Sequence, residues 1–183
     1  MIITLFPTNI LIKNNCGLDI KHLEQECLTY KDNTKSDPRS NIGGYQGHYF
    51  ENGDIQKLIR DSFPVLPEKP INSFKLSCWI NINGPGNFNE RHSHDPYSGT
   101  FYSGVFYVKA PYNCGRIRFY DPRPHIQTSP DMRYFNNGDT YRWLQPESNM
   151  LLMFPAWLEH DVEINKSTEE RISVAFNIHN VEY

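Results

Sequence analysis

From residue 71 onward the chain breaks into short runs of β-favouring side chains separated by turn residues, and this pattern restricts its fold more than any other feature. Phe74 to Asn83, Phe101 to Lys109, Arg116 to Tyr120, Met150 to Phe154 and Arg171 to Ile178 are rich in Ile, Val, Phe and Tyr, which suit a pleated surface. Gly84-Pro85-Gly86, Pro111 to Gly115, Asn136 to Asp139 and Asn165 to Glu170 divide them. Many short strands joined in this way predict a mainly β sandwich or jelly roll. The final run alternates strictly: Arg171, Ser173, Ala175 and Asn177 share one face, while Ile172, Val174, Phe176 and Ile178 share the other. Pro122 to Arg142 has no periodicity that assigns it to either element.

The first third reads differently. Leu18, Leu23, Cys27 and Tyr30 recur near helical spacing, and Ile55, Leu58, Ile59 and Phe63 do so on one stripe, predicting two helices over Leu18 to Tyr30 and Asp54 to Phe63. Before them, Phe6-Pro7 and Asn9 to Ile12 predict an early strand or hairpin, and Ser40 to Gln46 a compact turn. Pro64, Pro67 and Pro70 then close the helical part, since a helix does not run easily through prolines. At 183 residues the expectation is one domain, 1–183, with a helix-containing part over 1–70 and a jelly-roll core over 71–183.

Charge and composition remove several functions. A net charge of -3 without a Lys/Arg run disfavours generic nucleic-acid binding, though base-specific or nucleotide substrates stay open. Met1 to Ile12 lacks a basic start and a cleavage site, and no later stretch is apolar enough to span a bilayer, so neither a leader nor a membrane anchor is expected. Cys16, Cys27, Cys78 and Cys114 are scattered and form no Cys-x-x-Cys pair, which argues against disulfides and zinc knuckles and for a reducing cytoplasm.

Three places could carry chemistry. In His92-Ser93-His94 two imidazoles lie two residues apart, so on an extended chain both can face one ion; alone, such a pair is commonly surface decoration. His160 interrupts the otherwise apolar passage Met153 to Val162, where a core or edge histidine is the bland reading. Arg171 shares a face with small polar residues, and a buried guanidinium needs an internal carboxylate, enough acceptors or a ligand anion.

The order His-x-His, distal His, then Arg on the strand beyond resembles the iron(II)- and 2-oxoglutarate-dependent oxygenases. Asn41 to Gln46, Trp79 to Gly86, Ser103 to Val108, Phe119 to Arg123 and Phe154 to His160 are similar, in order, to one uncharacterised branch frequent in phages and marine bacteria, with a weaker echo in Leu5 to Thr8. The resemblance implies a prolyl-hydroxylase-like double-stranded β-helix with iron near one open end. It implies His92, His94 and His160 as ligands, and Arg171 on the distal carboxylate of 2-oxoglutarate with Ser173 beside it. Tyr107 and Tyr102 become candidates to contact the cosubstrate, against the ordinary role of strand tyrosines as core filler.

The chain departs from the family where most members carry Asp or Glu: it has His94. A third neutral ligand leaves the site about one charge more positive. Asp95 or Glu90 could restore a carboxylate, whereas Asp161 would face away as a solvated or supporting charge. Asp121 and Arg123 could guide substrate, or form a surface ion pair. His22, His48, His125 and His179 have no ligand partner nearby in sequence. Trp79 and Trp157 read as packing residues, and Trp143 as a candidate substrate platform. The expected activity is hydroxylation of a small molecule, nucleoside or peptide, coupled to cosubstrate decarboxylation. The alternatives are a three-histidine cupin-type dioxygenase without 2-oxoglutarate and a non-catalytic jelly-roll binding module. No heptad or apolar stripe indicates an oligomeric state.

Overall fold

A computed structural model describes residues 1, 3, 6–63, 71–94, 99–123 and 140–182. The elements follow as β1 (Leu11–Lys13), α1 (Ile20–Asn33), β2 (Asn41–Ile42), β3 (Tyr45–His48), α2 (Gly53–Ser62), β4 (Ser73–Asn83), β5 (Phe88–His92), β6 (Thr100–Lys109), β7 (Ile117–Tyr120), β8 (Tyr141–Leu144), β9 (Met150–Pro155), β10 (His160–Val162) and β11 (Arg171–Glu182). They form a six-stranded sheet ordered β1-β9-β6-β11-β4-β3 and a five-stranded sheet ordered β2-β5-β10-β7-β8. Every pairing is antiparallel, giving the predicted jelly roll with two helices.

The alternation of β11 explains why the larger sheet is covered on both faces. Ile172, Val174, Phe176 and Ile178 are all at most 1% exposed and point into a core completed by Ile80, Ile82, Phe106, Leu151 and Met153 of neighbouring strands. The helices roof that core with Leu23 and Cys27 of α1 and Ile55, Leu58 and Ile59 of α2. Asp19 and Asn52 start them, each side chain accepting a backbone N–H three residues on, from His22 at 3.2 Å and from Ile55 at 3.0 Å. Gly104 makes the sheet fit its roof: a Cβ there would come within 2.4 Å of the Leu152 carbonyl and 2.2 Å of the Phe176 ring.

On the opposite face Val105, Tyr107, Met150, Leu152 and Phe154 meet Ile117 and Phe119 of the smaller sheet, with Leu158 between. Beyond this second core the two sheets separate, and polar residues line the gap.

Several expectations shift. Of the early strand or hairpin, the strand is what forms: β1 pairs with β9, and among the described residues no second strand pairs with it before α1. The Ser40 to Gln46 turn consists of two small strands in different sheets, β2 on β5 and β3 on β4, joined at Gly43-Gly44. β5, β8 and β10 are strands that periodicity does not announce; β8 begins inside the unassigned stretch, whose residues 124–139 lie outside the described ones. Asn136 to Asp139 and His125 lie there too. Among the described residues no helix is long and apolar enough to cross a membrane, and all four cysteines are free.

The roof has a direct test. Ile59 is fully buried between α2 and the sheet, so Ile59→Ala should lower unfolding free energy by about 2–5 kcal/mol. Urea denaturation would read the loss as a lower midpoint with an unchanged slope.

Candidate metal and cosubstrate site

Two of the three histidines meet because of strand register. His160 opens β10, which lies between β5 and β7, and it stands directly opposite His92 at the end of β5 and Phe119 of β7. His94 lies past the end of β5, so strand alternation does not place it, contrary to the simple i, i+2 expectation. Its backbone N–H instead donates to the Ala156 carbonyl at 2.9 Å, which ties it to the turn before β10. The ring centroids are 4.4 Å apart for His92 and His160, 5.3 Å for His92 and His94, and 5.4 Å for His94 and His160. One ligand nitrogen from each ring lies within 4.8 Å of the other two.

Hydrogen bonds fix which nitrogen is available. His92 Nδ1 donates to the Glu90 carbonyl at 2.7 Å, and His160 Nδ1 donates to the Leu158 carbonyl at 2.9 Å. A carbonyl can only accept, so each Nδ1 carries the proton and each Nε2 presents a lone pair. Burial pushes the pKa of all three rings down; for His160 and His94 the neighbouring rings push the same way, and His94 falls to about 3. Three neutral imidazoles, two of them with lone pairs oriented by these hydrogen bonds, are a donor set suited to a divalent first-row transition ion, so these residues fit iron(II). Of the carboxylate alternatives, Glu90 is exposed and contributes its carbonyl instead, and Asp95 lies outside the described residues.

The rings face a cavity of about 660 Å3 whose opposite wall is the larger sheet. Cross-strand register builds that wall in rows. Arg171 pairs with Asn83; Ser173 with Asn81 and Tyr107; Ala175 with Trp79 and Val105; and Asn177 with Ser77 and Ser103. Arg171 is 2% exposed, and among the described residues it meets no carboxylate. Its Nη1 donates to the Cys114 carbonyl at 2.8 Å and its Nη2 to Asn89 Oδ1 at 3.4 Å. Burial lowers its pKa, but guanidinium remains charged at neutral pH, so a cation with two uncharged acceptors lies at one end of the cavity. Gly115 beside it has φ +90, and a Cβ there would lie 2.2 Å from the Glu163 carbonyl and 3.1 Å from Arg171 Nη1. Tyr107 is also buried on this wall, and burial raises its phenol pKa while Arg171 opposes the rise.

Other candidates fall elsewhere. Tyr102 points to the helix side, edge-on to Phe63 at 5.2 Å, so it does not share the cavity with Tyr107. Asp161 faces away from the rings as expected, but it is buried rather than solvated, gripped by Arg118 at 2.7 and 2.6 Å and by the Tyr120 hydroxyl at 2.6 Å. Asp121 and Arg123 bind each other and line a separate cavity with Phe6, Tyr141 and Trp157. Trp143 lies under Arg116, which stacks on it at 4.4 Å, and lines neither cavity. Trp79 and His48 do line the main one, with the Trp79 ring 6.0 Å from His94. Sequence reasoning missed them and the amides of Gln46, Asn81 and Asn89; alternation in Trp79-Ile80-Asn81-Ile82-Asn83 was the available signal. His22 is paired with Glu26 on α1, and His179 lies between Ser77 and Thr100.

The depressed histidines make a pH prediction. A ring that resists protonation when folded but not when unfolded lets the unfolded chain take up protons first, so its contribution is complete above the ordinary value of 6.5 and is lost as pH falls below it, down to about 3 for His94. Denaturation midpoints of chelator-treated protein should therefore drop between about pH 7.5 and about pH 5. His94→Gln should flatten that decline.

Comparison with known proteins accords with this geometry. Residues 77–177, more than half of the chain, match the family model described as "Putative 2OG-Fe(II) oxygenase". Comparison with curated proteins gives no match. Among solved structures, a Pseudomonas putida prolyl-4-hydroxylase superposes with a TM-score of 0.67 at 16% identity, covering 94% of this chain and 93% of that one. HygX from Streptomyces hygroscopicus, with nickel and 2-oxoglutarate bound, gives 0.68 at 8% identity, covering 94% and 83%. The viral collagen prolyl hydroxylase of Paramecium bursaria Chlorella virus-1, a 2-oxoglutarate complex, gives 0.62 at 15% identity, covering 94% and 96%. These likenesses establish a shared fold, and the match over 77–177 establishes that the chain belongs to the 2-oxoglutarate- and iron(II)-dependent oxygenase family.

Proposed function

We propose that His92, His94 and His160 hold the iron, that Arg171, Ser173 and Tyr107 receive the cosubstrate, and that the enzyme hydroxylates a peptide side chain, a nucleoside or a small metabolite. The observation that carries this reading is the Arg171 guanidinium, buried without a carboxylate partner on the wall of the cavity that the three imidazoles face. A ligand carboxylate there would add the charge-assisted, bidentate contact that the Cys114 carbonyl and Asn89 do not provide. Ser173 and Tyr107, level with each other in the next row, offer hydroxyls to the same molecule.

When bound, the iron would let dioxygen serve as the four-electron oxidant, one oxygen atom passing to succinate as 2-oxoglutarate loses CO2 and the other into a substrate C–H bond. The chain's own residues orient and shield. The Glu90 and Leu158 carbonyls hold two imidazoles in the ligating tautomer, and Phe154 and Phe119 pack on His160 at 4.7 and 6.2 Å to exclude water from behind it. Residues 1–183 act as one unit in this reading, since the helices roof the reverse side of the sheet that bears Arg171.

Two measurements test it. Fe(II) titrated anaerobically should bind the wild-type chain stoichiometrically and bind His160→Ala far more weakly; equal binding by both would remove the metal assignment. Arg171→Gln should raise the apparent KM for 2-oxoglutarate by about 10- to 100-fold, the equivalent of roughly 1.5–3 kcal/mol for a hydrogen bond to a charged group. Succinate release with an unchanged KM would favour a different cosubstrate seat, and Fe(II) binding with no 2-oxoglutarate consumption would favour the cupin-type dioxygenase.

A further inference from the structure

The wall on the β3 side carries amides whose orientation is set by partners able to play only one role. The Gly44 N–H donates to Asn41 Oδ1 at 3.2 Å, and Asn41 Nδ2 donates to the Tyr45 carbonyl at 3.1 Å, which locks Asn41. Its Nδ2 also meets Asn81 Oδ1 at 3.2 Å, turning the Asn81 nitrogen away toward the cavity. Gln46 is fixed more directly: the Arg39 backbone N–H donates to its Oε1 at 3.0 Å, and a backbone N–H cannot accept. The Gln46 side chain lines the cavity, only 4% of the residue is exposed, and among the described residues nothing accepts from its Nε2. An amide nitrogen on a cavity wall with both donors uncommitted to the protein is met by water until a ligand's acceptor oxygen displaces it.

Position separates Gln46 from the cosubstrate seat. It stands in the row Gln46, Asn81, Ser173, two strands and so about 10 Å from Ser173. β3 is the edge strand of its sheet, and the exposed residues Arg39, Tyr49 and Glu90 lie at the cavity's rim beside it. The Arg39 guanidinium has no acidic partner among the described residues. We propose that Gln46 is a specificity-determining residue for the substrate to be oxidised, and that this substrate carries an acyl oxygen, as carboxylate or carboxamide, which accepts from Gln46 Nε2. The proposal rests on the oxygenase reading above. Either form of the group would satisfy the amide, and Arg39 would add attraction only for the carboxylate.

The test uses the full chain loaded anaerobically with Fe(II) and 2-oxoglutarate, titrated by calorimetry with a series of simple carboxylic acids R-COOH, their primary carboxamides R-CONH2, and the matching amines R-CH2NH2, which carry no acyl oxygen. Acids or amides should bind and the amines should not. Gln46→Glu keeps an oxygen for the Arg39 N–H while deleting both donors, so it should weaken that binding at least tenfold, about 1.4 kcal/mol, and leave the 2-oxoglutarate Kd within about twofold. Gln46→Met, of similar shape and uncharged, should weaken binding as well and covers the case in which the glutamate variant unfolds. Arg39→Gln should weaken acids but not amides if the group is a carboxylate, and neither if it is a carboxamide. Equal binding of the amines, binding by no member of the series, unchanged affinity in both Gln46 variants, or a tenfold loss of 2-oxoglutarate affinity instead would each overturn the proposal. Failure of 2-oxoglutarate to bind the wild-type chain would sink the oxygenase reading separately, because the acyl series can still be scored on the Fe(II)-loaded protein.

Discussion

The pairing of β10 with β5 is the constraint on which the candidate centre depends. β10 has three residues, and it is hydrogen-bonded on both sides, to β5 and to β7. Side chains alternate along a strand, so a slip of one residue would exchange His160 for Asp161 at the cavity and turn the imidazole outward. Asp161 works against such a slip. Its carboxylate is buried on the opposite face in bonds to Arg118 and Tyr120, so the slip would also break an ion pair that has lost most of its water. The residue adjoining the histidine holds the register from the far side of the sheet.

A second economy lies in β11. Over residues 171–178 its even-numbered residues form the floor under α1 and α2, and its odd-numbered residues form the cavity wall. Stability and chemistry therefore share one backbone, and the residues that position Arg171 are those whose neighbours are sealed by the helices. Burial in a close-packed layer leaves such a strand little freedom to shift, which suits a wall that must hold a cation in place.

Much of this was legible in the sequence, for identifiable reasons. The α2 stripe and the β11 alternation are periodic over enough residues to show both the element and its buried face. Tyr107 and Tyr102 were separable too: they lie five residues apart on one strand, an odd number, and so must face opposite sides. β5 and β10 were not legible, because five and three residues are too few to establish a period and β10 begins at a histidine. The amide network of Asn41, Asn81 and Asn83 was hidden for another reason: its partners lie about forty positions apart and meet through the placing of β2 on β5 and of the adjoining β3 on β4. His94 was proposed as a ligand on strand spacing, whereas its place comes from a main-chain bond to Ala156 that no spacing rule contains.

The seat of Arg171 leans on the Cys114 carbonyl, an oxygen that every amino acid possesses. The grip on the guanidinium therefore does not require a thiol, although Cys114 is fully buried and only a side chain of about its size fits there, whereas the next position, Gly115, tolerates no side chain against the Glu163 backbone. Two adjacent residues are thus limited in different ways, one by the volume of its pocket and the other by its backbone, although neither offers a functional group of its own to the chemistry.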